Sequence, residues 1–187
     1  NRNFRPLQEL RFIDQRRFGW LSVAKLESTS SLPNLVAHIA LDLFDPMFNR
    51  KATISRISSK RSEIKRVILD QSVVSGIGNI YADESLYKAK IHPMTSASTL
   101  TTSQIGHLLD SARKVMALAL SQGGTSFDAL YVNVNGESGY FERSLSVYGQ
   151  ECEPCPRCGT QIKRIAFANR SSRFCPTCQL DSSSNVR

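Results

Sequence analysis

The chain has 187 residues, enough to bury one or two compact cores and a small additional module. Its 24 Lys and Arg residues outnumber 16 Asp and Glu residues, and the formal net charge of +8 favours a polyanion such as nucleic acid as partner. A membrane is the weaker candidate, because no apolar run reaches the roughly 18 to 20 residues that a spanning helix needs. All five cysteines lie after residue 151, a pattern typical of a metal site in a reducing compartment rather than of a secreted disulfide protein.

The N-terminal part of the sequence predicts β-structure. Residues 10–13 and 20–23 are short apolar runs on either side of a polar turn at residues 14–17. Two strands do not form a stable sheet alone, and few other strand candidates precede residue 140. We therefore expect this region to belong to a larger β-structure.

Helical spacing begins after the Ser-rich residues 28–31. The pattern predicts one helix from Ser62 through Val73, a break at residues 76–78, and a second helix from about Asn79 to residues 92–93. A third helix is predicted from about Ser103 to Leu120, ending at the glycine pair 123–124, which is a common C-terminal signal. Residues 131–140, rich in Asn and Gly, predict a loop.

The cysteines form two C-x-x-C pairs, Cys155 with Cys158 and Cys175 with Cys178, and sixteen residues separate the pairs. Each pair lets one tight turn direct two thiolates at the same point, and two such turns make a tetrahedral sulfur site for one structural Zn²⁺. Two surface disulfides or free thiols are the alternative. Cys152 is then left as an ordinary free thiol.

Between the two cysteine pairs, Ile162, Ile165 and Phe167 have strand-like spacing and are followed by the polar and basic residues 169–173. This order predicts a β-hairpin with a cationic tip. The arginines of such a tip either contact phosphate or form a solvated charge run.

A second basic cluster contains Lys60, Arg61, Lys65 and Arg66 and lies shortly before the glycine turn at residues 76–78. Glycine at a helix N-terminus lets backbone N–H groups approach an anion. Lys65 and Gly78 are therefore candidate DNA contacts, although a plain connection between two helices is the alternative.

The three histidines His38, His92 and His107 have no metal-ligand spacing and are predicted to be structural. The adjacent carboxylates of Asp83 and Glu84 point about 100° apart on a helix. We expect them to serve as helix N-terminal charges or in an internal salt bridge rather than in acid–base chemistry.

Taken together, these segments resemble formamidopyrimidine-DNA glycosylase, the bacterial 8-oxoguanine repair family, and its endonuclease VIII relatives. The order and spacing of the matching stretches hold over essentially the whole chain. They are Asp14-Gln15-Arg16-Arg17-Phe18-Gly19, the run from Ile64 to Glu84 with Gly76-Ile77-Gly78-Asn79 at its centre, Gln122-Gly123-Gly124-Thr125, Gly139-Tyr140-Phe141, Val147-Tyr148-Gly149 and Cys175-Pro176-Thr177-Cys178-Gln179.

The resemblance implies an α+β fold of three parts. Residues 1–30 would be the remnant of an N-terminal β-sandwich domain, and residues 31–144 a helix–two-turn–helix DNA-binding domain with a lesion-capping loop. Residues 145–187 would be a β-hairpin zinc ribbon that also binds DNA. The family is bacterial, acts in the cytoplasm on damaged double-stranded DNA and is expected to be monomeric.

The resemblance also assigns roles to residues that grip the phosphates. Asn79 and Arg170 would contact the phosphates that flank the flipped nucleotide, and Arg170 would be the catalytic proton donor for δ-elimination. Arg17, Arg61 and Tyr148 match positions that contact the DNA backbone.

A further pair would act at the base stack. Arg16 and Phe18 match the residues that fill the gap left by the flipped base, with Phe18 wedging into the stack and offsetting part of the cost of base extrusion.

One feature of the family has no counterpart here. Its chemistry depends on an N-terminal proline that forms a Schiff base with the sugar, and on an adjacent glutamate, whereas this sequence starts Asn1-Arg2. A lysine and a methionine of the family's N-terminal half are also unmatched. We therefore expect a glycosylase and AP lyase for oxidised purines, seen without its catalytic N-terminal portion, which binds DNA but does not excise bases efficiently.

Three alternatives remain at this point. The chain could be a non-catalytic zinc-ribbon DNA-binding paralogue, or an endonuclease VIII-type glycosylase for oxidised pyrimidines. It could also be a zinc-ribbon protein that binds RNA or protein partners and has no preference for damaged DNA.

Overall fold

The computed structural model describes residues 19–26, 33–124 and 141–181. The chain divides into two compact units, residues 1–37 and residues 38–187. The helical region and the cysteine module therefore belong to one unit. The strand predicted at residues 10–13 and the loop predicted at residues 131–140 lie outside the described residues, and the domain boundaries at residues 30 and 144 stay predictions.

In the first unit, the strand predicted at residues 20–23 is wrong. The only pairing in the described part of this unit is an isolated antiparallel bridge between Leu26 and Pro33, followed by a short 3₁₀ turn at Asn34–Val36. The side chains of Trp20 and Val23 are exposed, Val23 completely. Apolar residues with β-propensity form a strand only where a neighbouring strand supplies hydrogen bonds and packing, and residues 20–23 have no such ladder.

The described part of the second unit contains four α-helices and one hairpin. The elements are α1 (Arg50–Ser58), α2 (Ile64–Leu69), α3 (Asn79–Ala89), α4 (Thr102–Ser121), β1 (Lys163–Phe167) and β2 (Arg170–Phe174). The two strands pair antiparallel. Within the described ranges, no helix is both long and apolar enough to cross a membrane.

The helix ends follow local capping chemistry. The side chain of Thr101 accepts a hydrogen bond from the Gln104 backbone, and the Gln104 side chain accepts one from the Thr101 backbone, which completes a capping box at the start of α4. The predictions of α3 and α4 are confirmed to within a few residues. The helix predicted from Ser62 is shorter than expected, because it ends at Leu69 and Val73 is buried in the following turn.

Sequence reasoning missed α1, whose apolar stripe is weak. Only Thr53 and Ile57 of this helix are buried. Its one clear local signal is Asn49, whose side chain accepts a hydrogen bond from the Ala52 backbone N–H at 3.0 Å, as N-cap residues do.

The main core lies between α3 and α4 and is closed by α1 and α2. Its fully buried side chains are apolar and include Ile57, Ile64, Ile68, Ile77, Leu86, Ile105, Leu108 and Leu109. Because these residues come from all four of the α-helices named above, the core fixes the start of α3 relative to the preceding glycine turn.

The two glycines of that turn have different roles. Gly76 has φ +83°, and a Cβ at this position would lie 3.1 Å from the Met116 Cε atom. Gly78 is the N-cap of α3 with φ −92°, and an added Cβ would meet nothing within 4 Å. The fold therefore requires a glycine at Gly76, whereas the backbone at Gly78 suits any residue.

We expect Gly76→Ala to lower the free energy of unfolding by about 1–2 kcal/mol, because the left-handed backbone is strained with a Cβ. The matched change Gly78→Ala should cost only about 0.5 kcal/mol, since glycine is mildly preferred over alanine at an N-cap. Urea denaturation of both variants measures the difference. Equal losses would contradict the assignment of the strained position to Gly76.

Candidate nucleic-acid interface and metal centre

The metal-ligating atoms of four cysteines converge at one point. The Sγ atoms of Cys155, Cys158, Cys175 and Cys178 all lie within 4.8 Å of one another, and the Cys158–Cys175 and Cys158–Cys178 pairs are 3.4 and 3.5 Å apart. Tetrahedral coordination with Zn–S bonds of about 2.3 Å requires S···S distances of about 3.8 Å. The cluster therefore fits a zinc ion. Cys152 is an exposed free thiol outside the cluster, as predicted.

In both cysteine turns, a backbone N–H group donates a hydrogen bond to a cysteine sulfur. The Arg157 backbone N–H donates to Cys155 Sγ at 3.4 Å, and the Cys178 N–H donates to Cys175 Sγ at the same distance. Hydrogen bonding from Thr160 lowers the pKa of the Cys158 thiol to about 6, whereas burial raises the pKa of Cys175 to about 12. A bound dication would supply the positive charge that the buried sulfur needs in order to ionise.

The hairpin that follows the first cysteine turn differs from the prediction at its tip. Phe167 pairs with Arg170, and Ala168 and Asn169 form the turn, with Ala168 at φ +48°. The predicted hairpin is confirmed, but its basic residues lie in β2 rather than in the turn: Arg170 directly follows the turn, and Arg173 lies further along the strand. The reason is the short two-residue turn, which leaves the basic residues to continue the ladder.

Arg173 forms its contacts with other residues of the protein. Its Nε donates to Glu151 Oε2 at 2.9 Å, and its guanidinium lies 4.4 Å from the centroid of the Tyr148 ring. Hydrogen bonding to Arg173 lowers the pKa of Glu151. This contact holds Tyr148, a candidate DNA-contacting residue, against the hairpin.

A buried ion pair joins the hairpin to the helices. Lys65 Nζ lies 2.7 Å from Asp83 Oδ1, and both side chains have no exposed surface. The Lys65 ammonium also donates to the Ser171 carbonyl at 2.9 Å, and Asp83 accepts from the Ser172 hydroxyl at 2.7 Å. The internal salt bridge predicted for Asp83 is thus confirmed, with Lys65 as its partner.

The ammonium of Lys65, a predicted DNA contact, is enclosed in this structure and does not reach the protein surface. Burial lowers the pKa of Lys65 and raises that of Asp83, and the attraction between the two charges opposes both shifts. Asp83 is further satisfied by the Arg173 backbone N–H at 3.1 Å. The sequence showed a basic residue at this position. It could not show that Lys65 on α2 would form a buried ion pair with Asp83 on α3.

Of the two residues expected to grip phosphates, Asn79 contacts β2 at the residue that directly follows Arg170. The Asn79 side-chain amide donates to the Ser171 carbonyl at 3.2 Å, while Asn79 Oδ1 is buried without a hydrogen-bond partner. Arg170 directly precedes Ser171 and is exposed. Gly78 and Arg61 are exposed as well. The N-terminus of α3 therefore contacts β2 at the residue next to the exposed Arg170.

Glu84 positions the segment at residues 146–148. Its carboxylate accepts hydrogen bonds from the backbone N–H groups of Ser146, Val147 and Tyr148 at 2.8–3.0 Å. Burial raises the pKa of Glu84, and these N–H groups oppose the shift. Sequence reasoning noted this carboxylate but not its role as an anchor for Tyr148.

Two further contacts attach the cysteine module to the end of α3. Gln179 accepts from the Cys175 backbone N–H at 3.0 Å and donates to the Ile91 carbonyl at 2.8 Å. His92 packs edge-on against Phe174 with 4.5 Å between ring centroids, which confirms its structural role. Gln179 is the last residue of the C-terminal motif, but the sequence predicted no role for it. Arg16, Arg17 and Phe18 lie outside the described residues.

Comparison with known families matches both parts of this unit. Residues 39–129 match the description "Formamidopyrimidine-DNA glycosylase H2TH domain", and residues 153–180 match "Zinc finger found in FPG and IleRS". The two matches cover the helices and the cysteine cluster described above.

Curated relatives named formamidopyrimidine-DNA glycosylase agree with this result. The Rhodococcus opacus protein is 61% identical over 91% of this chain, and the Thermobifida fusca protein is 55% identical over 92%. The chain spans about 60% of the length of these relatives, 60% of the first and 59% of the second.

Solved structures give the same fold. A complex of Lactococcus lactis Fpg with abasic-site DNA has a TM-score of 0.72 and 36% identity, covering 79% of this chain and 54% of that one. The MutM (Fpg) protein of Thermus thermophilus has a TM-score of 0.72 and 33% identity, covering 78% of this chain and 55% of that one.

We expect Lys65→Met to lower the free energy of unfolding by about 3–5 kcal/mol, because it leaves the buried Asp83 carboxylate unpaired. Arg66→Met is the matched control. Arg66 is the next residue of α2, and its ion pair with Glu63 is solvent-exposed, so its loss should cost about 0–1 kcal/mol. Denaturant midpoints of both variants measure the difference. Similar small losses would show that the Lys65–Asp83 pair does not hold the hairpin.

Proposed function

The chain belongs to the formamidopyrimidine-DNA glycosylase family, and on that premise we propose that it forms the DNA-gripping part of a base-excision repair enzyme. The complete protein would be a bifunctional DNA glycosylase and AP lyase. Its substrate would be damaged duplex DNA that contains oxidised purines, namely 8-oxoguanine and formamidopyrimidines.

The observation that carries this proposal is the hydrogen bond from Asn79, at the N-terminus of α3, to Ser171, the residue that follows the exposed Arg170. An exposed arginine on a strand that contacts a helix N-terminus suits phosphate, because the guanidinium supplies charge and the helix supplies unpaired N–H groups. Asn79 and Arg170 would hold the phosphates on either side of the flipped nucleotide. Arg61, Gly78 and Tyr148 would add contacts to the DNA backbone.

The lesion class is proposed from the solved relatives. One Lactococcus lactis Fpg variant is described with a Fapy-dG-containing DNA, and a MutM protein with DNA that contains carbocyclic 8-oxo-G. Both lesions are oxidised purines, which favours the purine branch over the oxidised pyrimidines of the endonuclease VIII alternative.

The chemistry is proposed from the resemblance. A proline amine of the family would attack the sugar and form a Schiff base. Arg170 would donate a proton in δ-elimination. Arg16 and Phe18 would fill the gap left by the flipped base.

For the metal, we propose one structural Zn²⁺ held by Cys155, Cys158, Cys175 and Cys178. With four sulfur ligands the coordination is closed, so the ion would fix the two cysteine turns and take no part in the chemistry. The protein would act as a monomer.

Arg170→Ala should weaken binding to duplex DNA about tenfold, because one charge-assisted hydrogen bond of about 1.5 kcal/mol is lost. The slope of log K against log salt should also become less steep by about 0.9, the value for one phosphate contact. Fluorescence anisotropy titrations at several salt concentrations measure both quantities.

Lys114→Ala is the matched control, since Lys114 is exposed on α4 and its removal changes the net charge by the same amount. It should leave the affinity and the salt slope nearly unchanged. If both variants lose affinity equally, net charge alone would account for binding and Arg170 would hold no specific phosphate.

Borohydride trapping on a duplex with 8-oxoguanine opposite cytosine, with a gel-shift assay beside it, tests whether this chain binds damaged DNA without forming a covalent intermediate. We expect this polypeptide to shift the duplex in a gel, with preference over undamaged DNA, and to form no covalent adduct. An adduct would mean that an amine of this chain performs the attack. Absence of any preference for damaged duplex would favour a non-catalytic DNA-binding or RNA-binding role.

A further inference from the structure

Tyr87 connects helix α3 to the metal centre. Its side chain is 5% exposed, and its hydroxyl oxygen lies 3.3 Å from Cys155 Sγ. A metal-bound thiolate has no proton to donate, so in the loaded site the hydroxyl is the donor and the sulfur the acceptor. The hydrogen bond would therefore stabilise the negative charge of the Cys155 thiolate, although Tyr87 itself is not a metal ligand.

Arg157 holds Tyr87 in this position. The guanidinium lies 4.2 Å from the centroid of the Tyr87 ring, and both of its terminal nitrogens donate to the Tyr87 carbonyl at 3.3 Å. The Arg157 backbone N–H donates to the same Cys155 sulfur. Cys155 thus receives one hydrogen bond from its own turn and one from α3.

We propose that Tyr87 is a positioning residue of the zinc site, which donates a hydrogen bond from α3 to the Cys155 thiolate and so makes the helix part of the metal centre. Donors of this kind orient the ligands and stabilise their charge, and their removal typically weakens metal binding about 10- to 100-fold. The inference concerns metal retention and requires no DNA, so it stands apart from the proposed repair function.

Tyr87→Phe tests the proposal with the ring and its packing retained. In competition with a chromogenic chelator, the zinc-loaded variant should bind zinc about tenfold more weakly than the unmutated chain. Tyr81→Phe is the matched control, because it removes a hydroxyl from the same helix at a ring that packs against Phe141 instead. Unchanged zinc affinity in Tyr87→Phe would overturn the proposal.

A spectroscopic measurement separates the hydrogen bond from simple packing. In cobalt-substituted protein, loss of a donor to the thiolate raises the energy of the sulfur lone pairs, so the sulfur-to-cobalt charge-transfer band of Tyr87→Phe should move to lower energy. The band of Tyr81→Phe should not move. An unshifted band in Tyr87→Phe would overturn the proposal.

The unmutated chain supplies a test that no folding defect can affect. With a spin-active cadmium ion in the zinc site, the Tyr87 hydroxyl proton should show scalar coupling to the metal through the Cys155 sulfur. Absence of that coupling, with the coupling between the Arg157 backbone N–H proton and cadmium present, would show that the hydroxyl does not donate to the ligand.

Discussion

The buried ion pair between Lys65 and Asp83 is the interaction on which the second unit depends. Two charges without exposed surface are tolerable only when each is paired and hydrogen-bonded, and here the Ser171 carbonyl, the Ser172 hydroxyl and the Arg173 N–H complete the set. Those groups belong to β2. A two-stranded hairpin is only marginally stable in water, so it needs contacts with the helices to hold its orientation. The buried ion pair between α2 and α3 provides such contacts to β2.

Helix α3 extends that constraint along its length. Asn79, Asp83 and Tyr87 follow one another at intervals of four residues, a spacing that places side chains on one face of a helix. Asn79 bonds to the Ser171 carbonyl, Asp83 to the Ser172 hydroxyl and Tyr87 to the Cys155 sulfur. A single face of α3 therefore contacts the cysteine module from the proposed phosphate site to the metal centre. A shift of the hairpin would disturb both ends together.

The sequence predicted those features that depend on spacing between near neighbours. The C-x-x-C pairs and the capped, strongly periodic α4 are of this kind, because local turn geometry and a long apolar stripe determine them. The strand expected at residues 20–23 failed, since a strand depends on a partner that local sequence does not reveal. The burial of Lys65 could not be predicted for the same reason, because its partner is Asp83 on another helix.

The same burial changes how the net charge of +8 relates to nucleic-acid binding. Lys65 is paired with Asp83 and Arg173 with Glu151, so these cations stabilise the fold rather than present charge to a polyanion. Arg170 differs from its strand neighbour Arg173 because it faces solvent. Arg170 shares its strand face with the buried Ser172 and Phe174, so its exposure comes from its place at the turn end of β2 and not from the alternation of side chains along the strand. The position of a basic residue in the hairpin register, more than the number of basic residues, therefore decides which cations can meet a phosphate.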